Sequence, residues 1–282
     1  MINIAKFSPA ESLLILGRSH NRKQLLKVTF MHLLLHGALE IKTVVKKPDG
    51  RAKEQTYKYV VAGKNFESYT PAKHEEMFLN FYKRNRGRQI LFRNFVKLMY
   101  EDSRSLYYYR KLILKNEQLN GLVSQNIINK LFGNYSYTVA GEKAKSKANE
   151  ELKNADTRLN GLIKSDPEMA LNLMLTLGTN IVLLENLDLK LIAEVARDWK
   201  DSFRKFTDRK DDHDHGEAWI WWWMDSDTDT LDGHTDLFDS HGFDGVNDGF
   251  DMDFDYQDFG ATDTGCGGCG GCGSCGGCIT MD

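Results

Sequence analysis

No lysine or arginine follows Lys210. Residues 211–282 nevertheless carry 18 of the chain's 40 carboxylates. A segment that cannot neutralise its own charge has little means of collapsing around a core. Whatever folds must therefore be built from the first 210 residues. Those residues hold all 37 basic side chains against 22 acidic ones, a net of +15 hidden within a whole-chain charge of −3. The chain reads as a polycationic body joined to a polyanionic tail. Such asymmetry points to charged partners, nucleic acid among them, or to a tail used for interaction.

Within the body, proline marks the helix starts. Ser8-Pro9-Ala10-Glu11 is a capping box with Pro at the first helical position, and it predicts a short helix over 9–16. Thr70-Pro71 and Asp166-Pro167 repeat the cap-then-Pro signal. A second helix is predicted over 22–36, with Leu25, Leu26, Thr29, Phe30 and Leu33 on one face and Gly37 as its stop. ALEIKTVV (38–45) alternates as a half-buried strand, KKPDG (46–50) is a turn sequence, and TYKYVV (56–61) returns as the partner strand. Helix, helix, strand, wing, strand is a trimmed winged-helix order.

A repeat extends this pattern. YKYVVAG (57–63) has a near-twin in YSYTVAG (135–141), and each copy is expected to be the last strand of a helix-and-hairpin unit, its Gly turning the chain into the next helix. The second unit is read as helices 71–83, 88–99 and 105–119, with LVSQNII (122–128) as the candidate partner strand. Further helices are expected at 142–164, along Ala144, Ala148, Leu152, Ala155, Leu159 and Leu162, at 167–185, apolar nearly all round, and at 188–206. The expected fold class is mainly α (α+β), with tandem winged-helix-like units and short β-hairpins. Its divisions are a first unit at 1–69, a second, less regular unit at 70–141, a helical extension at 142–210 and a disordered acidic, aromatic and Gly/Cys-rich tail at 211–282.

The run from Ser8-Pro9-Ala10-Glu11-Ser12 to HGALEI (36–41) resembles the winged-helix-like segment of a bacterial domain family of unknown function. The two units with a GCGGCGGC-type end also resemble a family of uncharacterised domain proteins whose C-termini are Gly- and Cys-rich. The resemblance implies the architecture above. Neither family brings an established activity, so no functional residue is carried over.

Several groups of residues could carry chemistry. Arg22, Lys23 and Lys27 at the start of the second helix, Lys46 and Lys47 on the wing, and Arg84, Arg86 and Arg88 in the second inter-helix turn would suit a winged helix holding a groove and its phosphates. They equally suit a solvated basic surface. Cys266, Cys269, Cys272, Cys275 and Cys278 form a strict C-x-x-C ladder, and residues 1–265 contain no cysteine. Thiolates at that spacing can share Zn²⁺ or Cu⁺, although the folded insert usual between two zinc-binding pairs is missing. A passive end, or a substrate for thiol modification by a protein partner or export system, is the other reading. His213 and His215 offer at most a weak site. Trp219, Trp221, Trp222 and Trp223 place four indoles within five residues, a group expected to dock onto the body or to await a partner or membrane surface.

His32 and His36 stand one helical turn apart. With no third ligand suggested nearby, they read as polar residues of a helix face. No P-loop, GxGxxG, GxSxG or HExxH motif is present, so no enzyme is expected. MINIAKFSPAES lacks a signal-peptide pattern and no run of about 18 apolar residues exists. The expected compartment is the cytoplasm, with no membrane span. Two functions stay open: a non-catalytic binding protein whose Cys/Gly-rich tail takes soft metal or is modified, and a nucleic-acid-binding regulator autoinhibited by its acidic tail.

Overall fold

The computed structural model describes residues 3–18, 20–47, 55–124 and 134–187. The cysteine ladder, the tryptophan group, His213, His215, the helix expected at 188–206 and residues 48–50 of the turn expected at 46–50 lie outside these residues. The described protein is mainly helical, with two small antiparallel sheets. Among the described residues no helix is long and apolar enough to cross a membrane.

Helix α1 (Pro9–Leu16) begins at the expected capping box. The Ser8 hydroxyl accepts from the Glu11 amide and the Glu11 carboxylate accepts from the Ser8 amide. Helix α2 (Arg22–Leu35) starts on an Asn21 cap and is the centre of the molecule, with ten of its fourteen residues buried. The chain then forms the expected hairpin of β1 (Leu39–Lys46) and β2 (Gln55–Ala62), in the register Leu39↔Ala62 to Lys46↔Gln55. Alternation along β1 holds only at its base. Leu39 and Ile41 are buried, while Val45 is 58% exposed, because the distal hairpin extends past the core.

The sequence alone does not mark the next features. Pro71 opens no helix; α3 (Glu76–Lys83) begins five residues later. Residues 72–75 instead form a turn in which the Glu75 carboxylate accepts from the Ala72 amide (2.8 Å). Ile90–Leu91 forms a third strand, β3, paired with β2 through Tyr59↔Leu91 and Val60↔Ile90. The sheet therefore crosses the boundary expected at residue 69, and residues on both sides share one core. Helices α4 (Phe92–Asp102) and α5 (Leu106–Ile113) complete that core. Phe30 packs against Phe92 and Phe95 with ring centroids 5.6 and 5.5 Å apart. The buried Tyr109 hydroxyl donates to Thr29 (2.8 Å), and the Tyr82 hydroxyl to the Val60 carbonyl (2.9 Å).

The second sheet is minimal. β4 (Val123–Ser124) lies within the expected partner segment and pairs with β5 (Ser136–Tyr137). Only two residues of the second heptapeptide are strand. Val139, Ala140 and Gly141 already belong to α6 (Val139–Ser165), capped by Thr138. The tyrosines differ as well: Tyr135 and Tyr137 both donate to the Leu14 carbonyl (3.0 and 2.7 Å), whereas Tyr57 donates to Gln55 on its own strand. What the copies share is steric. A Cβ on Gly63 would collide with the Gly37 carbonyl oxygen, and one on Gly141 with that of Leu122. Each glycine lets the chain press against a neighbouring backbone.

Helix α6 buries Ala144, Ala148, Leu152, Ala155 and Leu159 as expected, and then Ile163 in place of Leu162. The apolar run from 167 is not one fully buried helix. Helix α7 (Pro167–Leu177) is amphipathic, with Met169 45% exposed. It breaks at Gly178 (φ 57°, ψ −144°), and a 3-10 helix, Gly178–Leu183, follows. That turn is buried against the N-terminus, where the Asn180 amide donates to the carbonyls of Ile4 (2.8 Å) and Phe7 (2.9 Å).

Candidate binding pocket

The break at Gly178 has a consequence for α2. It brings Thr179 to the C-terminal half of that helix, where its hydroxyl lies 2.8 Å from His32 Nδ1. On the other side of the ring, His32 Nε2 is 3.3 Å from Glu75 Oε1. Glu75 is supplied by the turn after Pro71 and is 2% exposed. Its other oxygen accepts from the Tyr69 hydroxyl (2.8 Å) as well as from the Ala72 amide. Glu11, on the inward face of α1 and 2% exposed, accepts from the Asn116 side-chain amide in addition to its capping bond. These groups, with His36, line a cavity of about 530 Å³ whose mouth carries Lys6, Asn3 and Gln118.

Burial sets the electrostatics. It depresses His32 to about 3, with His74 adding to the effect. His36 is held well below the ordinary histidine value by burial and then by His32, and His74 is lowered by burial. All three imidazoles are thus neutral near pH 7. A neutral His32 carries one proton, and a bare nitrogen facing Glu75 would be repelled. The proton therefore sits on Nε2, and Nδ1 accepts from the Thr179 hydroxyl. Burial also raises Glu11, opposed by its bonds from Ser8 and Asn116 and reinforced by the nearby Glu75. Tyr69 is pushed well above the usual phenol value by burial first and Glu75 second.

This corrects the reading of His32 as a polar helix-face residue. It is 9% exposed and partnered on both ring nitrogens. His74 is fully buried, 3.7 Å from Glu75 Oε1, and neither of its nitrogens has a hydrogen bond. Among the described residues no group of three His, Cys, Asp or Glu side chains is arranged to hold a metal ion. The Thr179–His32 contact resembles a hydroxyl against its general base. A base depressed to about 3, however, has little capacity to take the proton at neutral pH.

The basic residues singled out in the sequence occupy three places. Arg22 lies over the Tyr100 ring (3.4 Å) and donates to the Arg104 carbonyl, so it is part of the packing of α2 on the α4–α5 turn. Lys23 and Lys27 follow it, half-buried, in the first turns of α2. Lys46 and Lys47 are exposed at the distal hairpin, with Lys46 5.4 Å from the Tyr59 ring centroid. Arg84, Arg86 and Arg88 are exposed on the turn entering β3; Arg86 pairs with Glu67, and Arg88 lies 5.8 Å from the Phe81 ring centroid.

Compared with protein-family models, curated proteins and solved structures, the chain matches none.

Proposed function

We propose that the protein is a non-catalytic binding protein with two working parts. In the body, a small polar molecule occupies the pocket around Glu11, His36 and Thr179. The observation that carries this reading is the cavity itself. At about 530 Å³ it falls within the size range of small-molecule sites, and its wall combines aromatic surface with a few fixed polar groups. In the tail, Cys266, Cys269, Cys272, Cys275 and Cys278 take a soft metal such as Zn²⁺ or Cu⁺, or are substrates for thiol modification by a protein partner.

On this proposal the helix–helix–hairpin of residues 9–62 is a winged-helix-like scaffold, and residues 70–141 are a divergent second unit built onto it. The scaffold is not used to read nucleic acid. A helix enclosed along ten of fourteen positions leaves only its N-terminal turns for a groove, and a fold does not dictate its use. The test has two arms on the full chain. Ligand-observed NMR against small amines, polyols and carboxylates should show binding that Thr179→Val weakens. Changing all five cysteines to serine should abolish metal uptake while leaving the melting temperature unchanged.

A further inference from the structure

The pocket is lined by two buried carboxyls, Glu11 and Glu75, with no lysine or arginine against either among the described residues, and we infer that its ligand supplies a cation, an ammonium or guanidinium group seated against Glu11. The inference rests on the pocket being a binding site. Glu11 Oε2 accepts from the Ser8 amide (2.8 Å) and Oε1 from the Asn116 amide. Both donors are neutral. A carboxylate has about four acceptor positions, so roughly half of this one's capacity remains toward the cavity it lines.

Among the described residues no cation of the protein fills that capacity. Among the described residues no lysine or arginine pairs with Glu11, and Lys6, at the mouth, is exposed. The imidazoles facing the cavity are kept neutral by burial. Glu75 adds a second buried carboxyl to the same wall. Buried charge left uncompensated is among the more expensive arrangements in a protein. A neutral polyol would leave it uncompensated, and an anion would add to it.

A second feature points the same way. His36 lines the cavity, and among the described residues its ring makes no hydrogen bond. It rests against Tyr69 with centroids 5.5 Å apart. The neutral ring offers an acceptor nitrogen, and the Tyr69 ring beside it offers a face on which a cation is attracted. Carboxylate, acceptor nitrogen and aromatic face together are the recognition elements for an organic ammonium or guanidinium.

Three probes of nearly equal shape separate charge from size: butylguanidinium, N-butylurea and valerate. Calorimetry and thermal shift on the full chain at neutral pH should show butylguanidinium binding at least about tenfold more tightly than the urea, a difference of about 1.4 kcal/mol, with no binding of valerate. Glu11→Gln should erase the preference. Because Glu11 also caps α1, Lys6→Gln provides an independent arm: loss of the exposed charge at the mouth should tighten guanidinium binding and leave urea binding unchanged. Equal affinity for urea and guanidinium, or a preference for valerate, would overturn the cation assignment and leave the pocket as a binding site. No signal from any of the three at millimolar concentration would overturn both.

Discussion

Thr179 and His32 stand 147 positions apart in the chain and meet through a 2.8 Å hydrogen bond. The contact fastens the 3-10 helix Gly178–Leu183 to α2 and fixes the ring that faces Glu75. Thr179→Val keeps the shape and removes the hydroxyl, leaving Nδ1 of a buried imidazole unpaired. The expected cost is about 1–3 kcal/mol, read by urea unfolding. An unchanged midpoint would mean that the ring finds another donor.

Acid should destabilise the fold through its buried histidines. His32 is neutral in the folded protein down to about 3, while an unfolded histidine protonates near 6.5. Between those values the unfolded chain binds the extra proton, so stability present above pH 6.5 is lost as pH falls. At pH 5 this single group amounts to about 2 kcal/mol. His36 and His74 act in the same direction. Glu11, raised from 4.5, acts oppositely: its contribution is present at low pH and lost as pH rises through its folded value. With four histidines lowered, His20 included, against two raised carboxyls, Glu11 and Asp102, the melting temperature should drop steadily from pH 7 to pH 5. A flat profile would contradict the burial of the histidine group.

Glycine substitutions should divide by position. At Gly63 and Gly141 a Cβ meets a backbone carbonyl oxygen, so alanine at either position should lower the melting temperature severely or prevent folding. Gly161 lies in α6 with nothing within 4 Å of an added Cβ. There alanine should stabilise by up to about 1 kcal/mol through helix propensity. Thermal unfolding of the three variants gives the comparison directly.

Arg22 distinguishes packing from a nucleic-acid role. Its guanidinium lies over Tyr100 and donates to the Arg104 carbonyl. Arg22→Ala should therefore cost about 1 kcal/mol of stability. Unchanged stability together with weaker, less salt-dependent binding to duplex DNA would instead support the regulator reading.

Local signals were legible and distant ones were not. The capping box of α1, the extent of α2 and the β1–β2 hairpin follow from neighbouring residues, and each is where its sequence places it. Ile90–Leu91 is a strand only because β2 lies beside it, and two residues carry no periodicity. The long apolar run from 167 hid the turn at Gly178, since hydrophobicity reports burial and not direction. The repeated heptapeptide predicts a repeated strand, whereas its common element is a close backbone approach at Gly63 and Gly141. The pocket was the least visible part. Of its residues only the His32–His36 spacing stands out in the sequence. Glu75, Asn116 and Thr179 come from three unrelated segments, and Glu11 had a sufficient explanation as a cap. The remaining clue was a carboxylate within the buried helix PAESLLIL, more enclosed than a cap requires.

The pairing of Asn180 with Ile4 and Phe7 also sets an order of events during synthesis. The carbonyls of Ile4 and Phe7 wait for nearly the last of the described body before they accept these bonds. At translation rates of about 5–20 residues per second, the delay is roughly 10–30 s. Over that interval Glu11 and His32 have emerged but the wall bearing Thr179 has not. The pocket is complete only when residue 180 docks against Ile4 and Phe7.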